Sequence, residues 1–248
     1  MKKRFEELGW SPTPIGEVSL RRRWDPVVGV DVYEVKLGEE FLMSSLFTVA
    51  EVEVARLALA RLDGAGLKGV GLEGVGLDVA VGGLGLGYTA EAVLADDRVR
   101  EVVVVDLLEP VIDWHRRGLV PAGPVLTADH RCRLVAGDFF AMSDGSGFDP
   151  ETPDRVFDAM VVDIDHSPQH LLAGGSAGFY GPAGTRRLAR HLRPGGVYSL
   201  WSNDPPDAAY LATLTEVFVE VAAEVVTFAN PLQGGTSTNT VYLATTPG

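Results

Sequence analysis

The stretch from Leu77 to Pro110 constrains this chain more than any other. Leu77, Val79 and Val81 alternate with Asp78 and Ala80, a period-two pattern that predicts a strand. It stops at Gly82-Gly83-Leu84-Gly85-Leu86-Gly87, where closely spaced glycines forbid a regular element and open backbone conformations closed to other residues. Tyr88 to Ala95 reads as a helix. Glu101 to Asp106 follows, an apolar, β-branched run too short for a helix and suited to a strand buried on both faces. The unit is therefore strand, glycine turn, helix, strand.

A chain that leaves a parallel strand and enters a helix brings that helix's free N–H groups to the strand's carboxyl end, and missing Cβ atoms let a ligand approach the backbone. Asp106 ends the next strand about 20 residues beyond the turn, where an acid can accept hydrogen bonds from two ribose hydroxyls. Together these predict a nucleoside grip. The plainer alternative is a tight turn that packs helix on sheet, with Asp106 capping the following helix.

Around this unit the rest of the chain falls into order. Residues 1–63 predict a small hairpin, from Val32-Tyr-Glu-Val-Lys-Leu37 and Phe41-Leu-Met43, and then a helix. Val49, Val52, Leu59 and Leu62 of that helix recur at helical spacing, with Thr48 as N-cap and Glu51 completing a capping box. Residues 64–76 are glycine-rich and read as a connector, and residues 77–248 as the nucleoside-binding α/β domain. A helix is expected from Glu109 to Arg117, a third strand from Arg131 to Ala136 ending at Gly137-Asp138, and a fourth from Val156 to Asp163 ending in Asp163-Ile-Asp-His-Ser-Pro168. A helix over Thr185 to Leu192 precedes Arg193-Pro-Gly-Gly196 and a fifth strand, Val197 to Trp201. A long helix from about Asp207 to Ala223 and two last strands, Val225 to Phe228 and Thr240 to Ala244, complete the chain. The short link between those two makes them antiparallel. The prediction is a seven-stranded, mostly parallel sheet with helices on both faces and a small N-terminal β element.

Charge narrows the function. With 21 basic against 34 acidic residues the net charge is −13, which opposes general affinity for nucleic acid. Cationic or neutral small substrates fit better, although solubility alone accounts for the acidity equally well. The run Arg21-Arg22-Arg23 reads as a surface feature rather than a phosphate site. No apolar run approaches the ~20 residues that span a bilayer, and the N-terminus lacks the apolar core of a secretory signal, so a cytoplasmic location without membrane partners is expected. Scattered histidines and the lone Cys132 form no metal-ligand pattern, and no metal is expected.

The glycine turn, the ribose acid, Gly137-Asp138, the acids after the fourth strand and Arg193-Pro-Gly-Gly196 together resemble the Rossmann-like class I S-adenosylmethionine-dependent methyltransferase fold, and within it the spermidine synthases. That family carries a Gly-Gly-Gly-Asp-Gly-Gly loop, an acid at the second strand, Gly-Asp at the third, and Asp-Ser-x-Asp-Pro after the fourth. The matching positions here are Gly82 to Gly87, Asp106, Gly137-Asp138, and Asp163 with Asp165; Phe179-Tyr180-Gly-Pro-Ala-Gly-Thr-Arg-Arg-Leu188 also resembles the family's helix. The resemblance covers roughly residues 75–203. Three departures stand out. Gly85 or Leu86 replaces the loop Asp, the acidic segment is one residue longer before Pro168, and the N-terminal region lacks the family's Gln-x-x-Glu-x-Asp-Glu polyamine segment.

The resemblance implies a transferase of polyamine biosynthesis that moves an aminopropyl group from decarboxylated S-adenosylmethionine to a small-molecule amine acceptor, and a homodimer is compatible with it. Gly82, Gly83, Gly85, Gly87, Asp106, Gly137 and Asp138 would bind the nucleoside. The reaction is displacement by an amine at a carbon attached to sulfonium, so the site must keep that amine deprotonated. Asp163 is the candidate base, Asp165 would help hold the amine, and His166, Gln169 and Tyr180 are candidate substrate contacts. Two alternatives stay open: a methyltransferase using intact S-adenosylmethionine, and a non-catalytic nucleoside-binding member of the fold. The missing loop Asp favours these two, and the acids after the fourth strand favour aminopropyl transfer.

Overall fold

The computed structural model describes residues 5–64, 76–172 and 174–248, so most of the predicted connector over residues 64–76 lies outside the described residues. Two sheets make up the fold. The first is antiparallel, built from β1 (Phe5–Thr13), β2 (Gly16–Asp25), β3 (Val30–Leu37) and β4 (Glu40–Ser44) in chain order. The expected hairpin is its second half. β1 and β2 escape prediction because most residues of β1 stay partly exposed and lack a clean alternation. The Arg21-Arg22-Arg23 run sits in β2, where consecutive side chains leave opposite faces. Arg21 and Arg23 both pair with Glu34, at 2.7 and 2.9 Å, while Arg22 reaches Glu6 at 2.6 Å. These arginines tie strands together.

The second sheet holds seven strands: β5 (Leu77–Gly82), β6 (Val99–Asp106), β7 (Cys132–Ala136), β8 (Phe157–Val162), β9 (Leu192–Ser202), β10 (Glu220–Asn230) and β11 (Gly235–Thr245). Their order is β10-β11-β9-β8-β5-β6-β7, and β11 alone runs against its neighbours. From β5 the chain steps outward through β6 to β7, then returns to β8 on β5's other side. The carboxyl ends of β5 and β8 are thus the topological switch point, where sheets of this kind bind ligands.

One face is covered by α1 (Val49–Gly64), α2 (Tyr88–Leu94), α3 (Glu109–Arg116) and α4 (Gly123–Ala128), with an aliphatic core built on Val79, Val81, Val102 and Val104. The other carries α5 (Phe139–Asp144), α6 (Pro182–Ala189) and α7 (Ala208–Thr215) over an aromatic core that includes Phe139, Phe148, Phe157, Tyr198 and Tyr210. The expected helix from Asp207 to Ala223 is cut short. Asp207 caps α7 by accepting from the Ala209 amide at 2.8 Å, but after Thr215 the β-branched residues from Val219 onward pair with β11 along its whole length, from Glu220 with Thr245 to Asn230 with Gly235. Tertiary pairing overrides the local helical signal. Among the described residues no helix is long and apolar enough to cross a membrane.

Candidate active site

The glycine turn leaves β5 with Gly83 at φ +91°, and a Cβ there would overlap the Asp163 carbonyl oxygen at the end of β8. Only glycine lets the two strand ends converge so closely. Asp163 N donates to the Gly82 carbonyl at 2.8 Å and closes the approach. Gly85 has φ +48°, and its missing Cβ makes room for Met43, whose sulfur accepts the Leu86 N–H at 2.9 Å. Met43 comes from β4, so the N-terminal sheet lies over the turn. From behind, His115 donates Nε2–H to the Gly85 carbonyl at 2.9 Å; the ring is fully buried and burial pushes its pKa down, which keeps it neutral. Neither Met43 nor His115 is foreseen from the sequence, because each belongs to an element remote in the chain.

Asp106 ends β6 beside the turn. Its Oδ2 accepts from Leu84 N at 2.8 Å and its Oδ1 from Leu108 N at 2.7 Å. Burial raises its pKa against the pull of these amides. The amides fix the plane of the carboxylate, and each oxygen retains a lone pair for a ligand hydroxyl. Asp138 caps α5, its Oδ1 accepting from Phe140 N at 2.9 Å and Ala141 N at 3.2 Å. Neither Gly137 nor Gly82 lines the cavity at these strand ends: the Gly137 amide donates to the Asp106 carbonyl at 3.0 Å, and Gly82 backs onto the Phe139 ring. Both shape the site through the backbone.

Asp163 lies where β8 ends, and its Oδ2 accepts the Thr89 hydroxyl proton at 2.7 Å. Burial pushes its pKa up. Glu51, on the first turn of α1, is raised as well, by burial first and then by repulsion from Asp163. Two buried like charges resist joint ionisation, so the pair favours holding a proton between them. The sequence predicts Glu51 as the closing residue of a capping box; in the structure it lines the cavity.

The remaining predicted residues separate. Asp165 is buried and spends both oxygens inside the fold: Oδ1 accepts from Leu172 N at 2.8 Å, and Oδ2 from Tyr180 Oη at 2.8 Å and Ser176 Oγ at 3.2 Å. Tyr180 thus donates its hydroxyl to Asp165, and it is absent from the lining of the cavity. Gln169 also misses the cavity, because its amide donates to Asp207 at 2.8 Å. His166 stays at the rim, 2.9 Å from Glu40.

These elements enclose a cavity of about 450 Å³, within the range that takes a small-molecule ligand. Its described lining includes Glu51, Asp106, Asp138, Asp144, Asp163 and Asp165, and no Lys or Arg. Of these acids Asp144 pairs with Arg187, while backbone amides of the turn, the Asp106 carboxylate at β6 and the Asp163–Glu51 pair at β8 suit a ligand with a nucleoside at one end and positive charge at the other.

No family model matches the chain. In sequence it is similar to polyamine aminopropyltransferase 2 of Pseudomonas aeruginosa, with 31% identity over 154 residues, covering 58% of this chain and 40% of that protein. The chain thus spans about two fifths of that relative's length. Among solved structures it is similar to a spermidine synthase in complex with the transition state analogue AdoDATO, at TM-score 0.67 and 15% identity, covering 96% of this chain and 72% of the other. The spermidine synthase from Thermotoga maritima matches at TM-score 0.66 and 16% identity, over 96% and 72% of the two chains. Human methyltransferase-like protein 13 in complex with SAH matches at TM-score 0.55 and 16% identity, over 79% and 81%. The fold is that of the spermidine synthase structures it matches.

Proposed function

We propose that this chain transfers an aminopropyl group from decarboxylated S-adenosylmethionine to the nitrogen of a small amine. One observation carries this reading: the described lining of the cavity holds six acidic side chains and no Lys or Arg. Intact S-adenosylmethionine would bring its own carboxylate into that field. The Leu86 amide of the turn, which could receive such a carboxylate, already donates to Met43. The decarboxylated donor is a double cation and suits the acids as they stand. Similarity to an aminopropyltransferase and to spermidine synthases supports the same choice.

In this reading Asp106 accepts from the ribose hydroxyls, Asp138 faces the adenine, and the backbone of Gly83 to Gly87 borders the chain attached to sulfur. The acceptor's lone pair attacks the propyl carbon bonded to sulfonium. A C–N bond forms, the C–S bond breaks, and its electron pair leaves on sulfur as the neutral thioether of methylthioadenosine. The new ammonium gives up a proton to Asp163, with Glu51 as the neighbouring carboxylate. Asp165 acts as a positioning residue that holds the segment from Leu172 to Tyr180 against the cavity. His166 at the rim faces the entering acceptor.

Titration calorimetry with the two donors tests the choice. The decarboxylated donor should bind at least about tenfold more tightly than the intact one, about 1.4 kcal/mol in its favour. Tighter binding of the intact donor would transfer the proposal to methyl transfer.

A further inference from the structure

Two side chains from distant elements grip one peptide of the glycine turn. The Gly85 carbonyl accepts from His115 Nε2 at 2.9 Å, and the Leu86 amide donates to Met43 Sδ at 2.9 Å. That carbonyl and that amide belong to the same planar unit and point in opposite directions across it. The Gly85–Leu86 peptide is therefore held at both ends, by an imidazole behind the turn and by a thioether in front of it.

Each end has its own effect. Gly85 has φ +48°, and without a Cβ nothing on it hinders rotation of the peptide that follows. The fully buried His115 ring, whose Nε2–H finds its acceptor in the Gly85 carbonyl, selects the orientation with the Leu86 N–H forward. Met43 fills the space ahead of that N–H: a Cβ on Gly85 would overlap its Sδ and Cε. Met43, Gly85 and Leu86 all line the main cavity, so a shorter side chain at position 43 leaves the amide open to that cavity.

An uncovered amide favours an anion. A thioether is a weak acceptor, whereas a carboxylate accepts a charge-assisted hydrogen bond roughly twice as strong as a neutral one. The turn from Gly82 to Gly87 carries no charged side chain, so selection at this point rests with its backbone and with what covers it. The two donors differ by one carboxylate, on the chain that this turn borders in the aminopropyl reading.

We propose that Met43 is a specificity-determining residue: its thioether caps an amide that His115 keeps facing the cavity, and so denies the carboxylate of intact S-adenosylmethionine a hydrogen bond. His115 acts as a positioning residue. The inference deepens the aminopropyl reading and rests on it.

The test measures the affinity of the full chain for both donors by titration calorimetry. M43A should raise affinity for intact S-adenosylmethionine by about tenfold or more, the worth of one hydrogen bond to a charged group. The decarboxylated donor, which has no group to accept from the amide, should gain nothing. M43V, suited to a strand and too short to reach Leu86, should do the same if M43A fails to fold. Adding H115L should abolish the gain and adding H115Q should preserve it, because glutamine can still donate to Gly85. A packing role alone would move both donors together. An unchanged ratio of the two affinities in M43A and M43V overturns the inference and leaves the aminopropyl reading standing. A gain that H115L leaves whole overturns the assignment of His115. Tighter binding of the intact donor by the wild type sinks the aminopropyl reading and takes this inference with it.

Discussion

Thr89, in the first turn of α2, donates its hydroxyl proton to Asp163 at the end of β8, over 2.7 Å. The bond ties the helix that rises from the glycine turn to the acid proposed to receive the acceptor's proton, so in that proposal the donor and acceptor halves of the site share one contact. A hydrogen bond to a carboxylate favours its charged form, and this one lowers the Asp163 pKa against the burial that raises it. Thr89→Val keeps the shape and removes the donor. The acidic limb of the pH–rate profile should move to higher pH, while donor affinity stays constant.

Asp163→Asn retains the shape and loses the proton acceptor. Turnover should fall by roughly 10² to 10⁴, with donor affinity nearly unchanged in calorimetry. A parallel loss of donor binding would place Asp163 in the nucleoside grip instead.

Glu51→Gln separates repulsion from burial. Its carboxyl is held well above the ordinary glutamate range, by burial first and by Asp163 second. An acid whose folded pKa is raised contributes stability that is complete below its unfolded pKa and is lost as pH rises through the folded one. The wild type should therefore lose stability between the ordinary glutamate range and about pH 8, and Glu51→Gln should flatten that slope in melting curves. Glu51 stays protonated through the range in which Asp163 titrates, so Glu51→Gln should leave the acidic limb of activity in place, unlike Thr89→Val.

Asp106→Ala removes the carboxylate aligned by Leu84 and Leu108. Donor affinity should weaken by about 1.5 to 3 kcal/mol per hydrogen bond lost to a charged group. Equal affinity in the variant and the wild type would remove the ribose assignment.

Arg155 offers a control remote from the site. It contacts Asp78 at 3.0 Å, Glu101 at 2.8 Å and Asp149 at 3.0 Å, and Asp78 and Asp149 are buried. Arg155→Ala leaves Asp78 with Arg100 and Arg193, and Asp149 and Glu101 with Arg133, so it should cost about 1.5 to 3 kcal/mol of stability, the worth of hydrogen bonds to charged groups. Donor affinity of the folded fraction should not change.

What could be read along the chain was whatever depended on neighbours in sequence. Glycines 82 to 87 between a strand and a helix, Asp106 at a strand end and Asp163 at the next switch-point strand were legible because strand period and turn chemistry are local. Glu51 was not: an acid three residues after a threonine at a helix start carries a capping signal, and that signal hid its position opposite Asp163. Asp165 and Tyr180 stand out in the sequence, but their bond to each other depends on a fold contact that no local pattern shows. Gln169 is diverted in the same way by Asp207. β1 and β2 were invisible because half-exposed strands of a small sheet lack alternation, and Arg21 to Arg23 gain meaning only when Glu34 and Glu6 are brought across.

Product analysis of the wild-type chain tests the central claim most directly. Incubated with decarboxylated S-adenosylmethionine and a primary amine, it should release methylthioadenosine and an aminopropylated amine in equal amounts, at a rate that rises with pH as the acceptor loses its proton. Release of S-adenosylhomocysteine from the intact donor with no methylthioadenosine from the decarboxylated one would contradict the account.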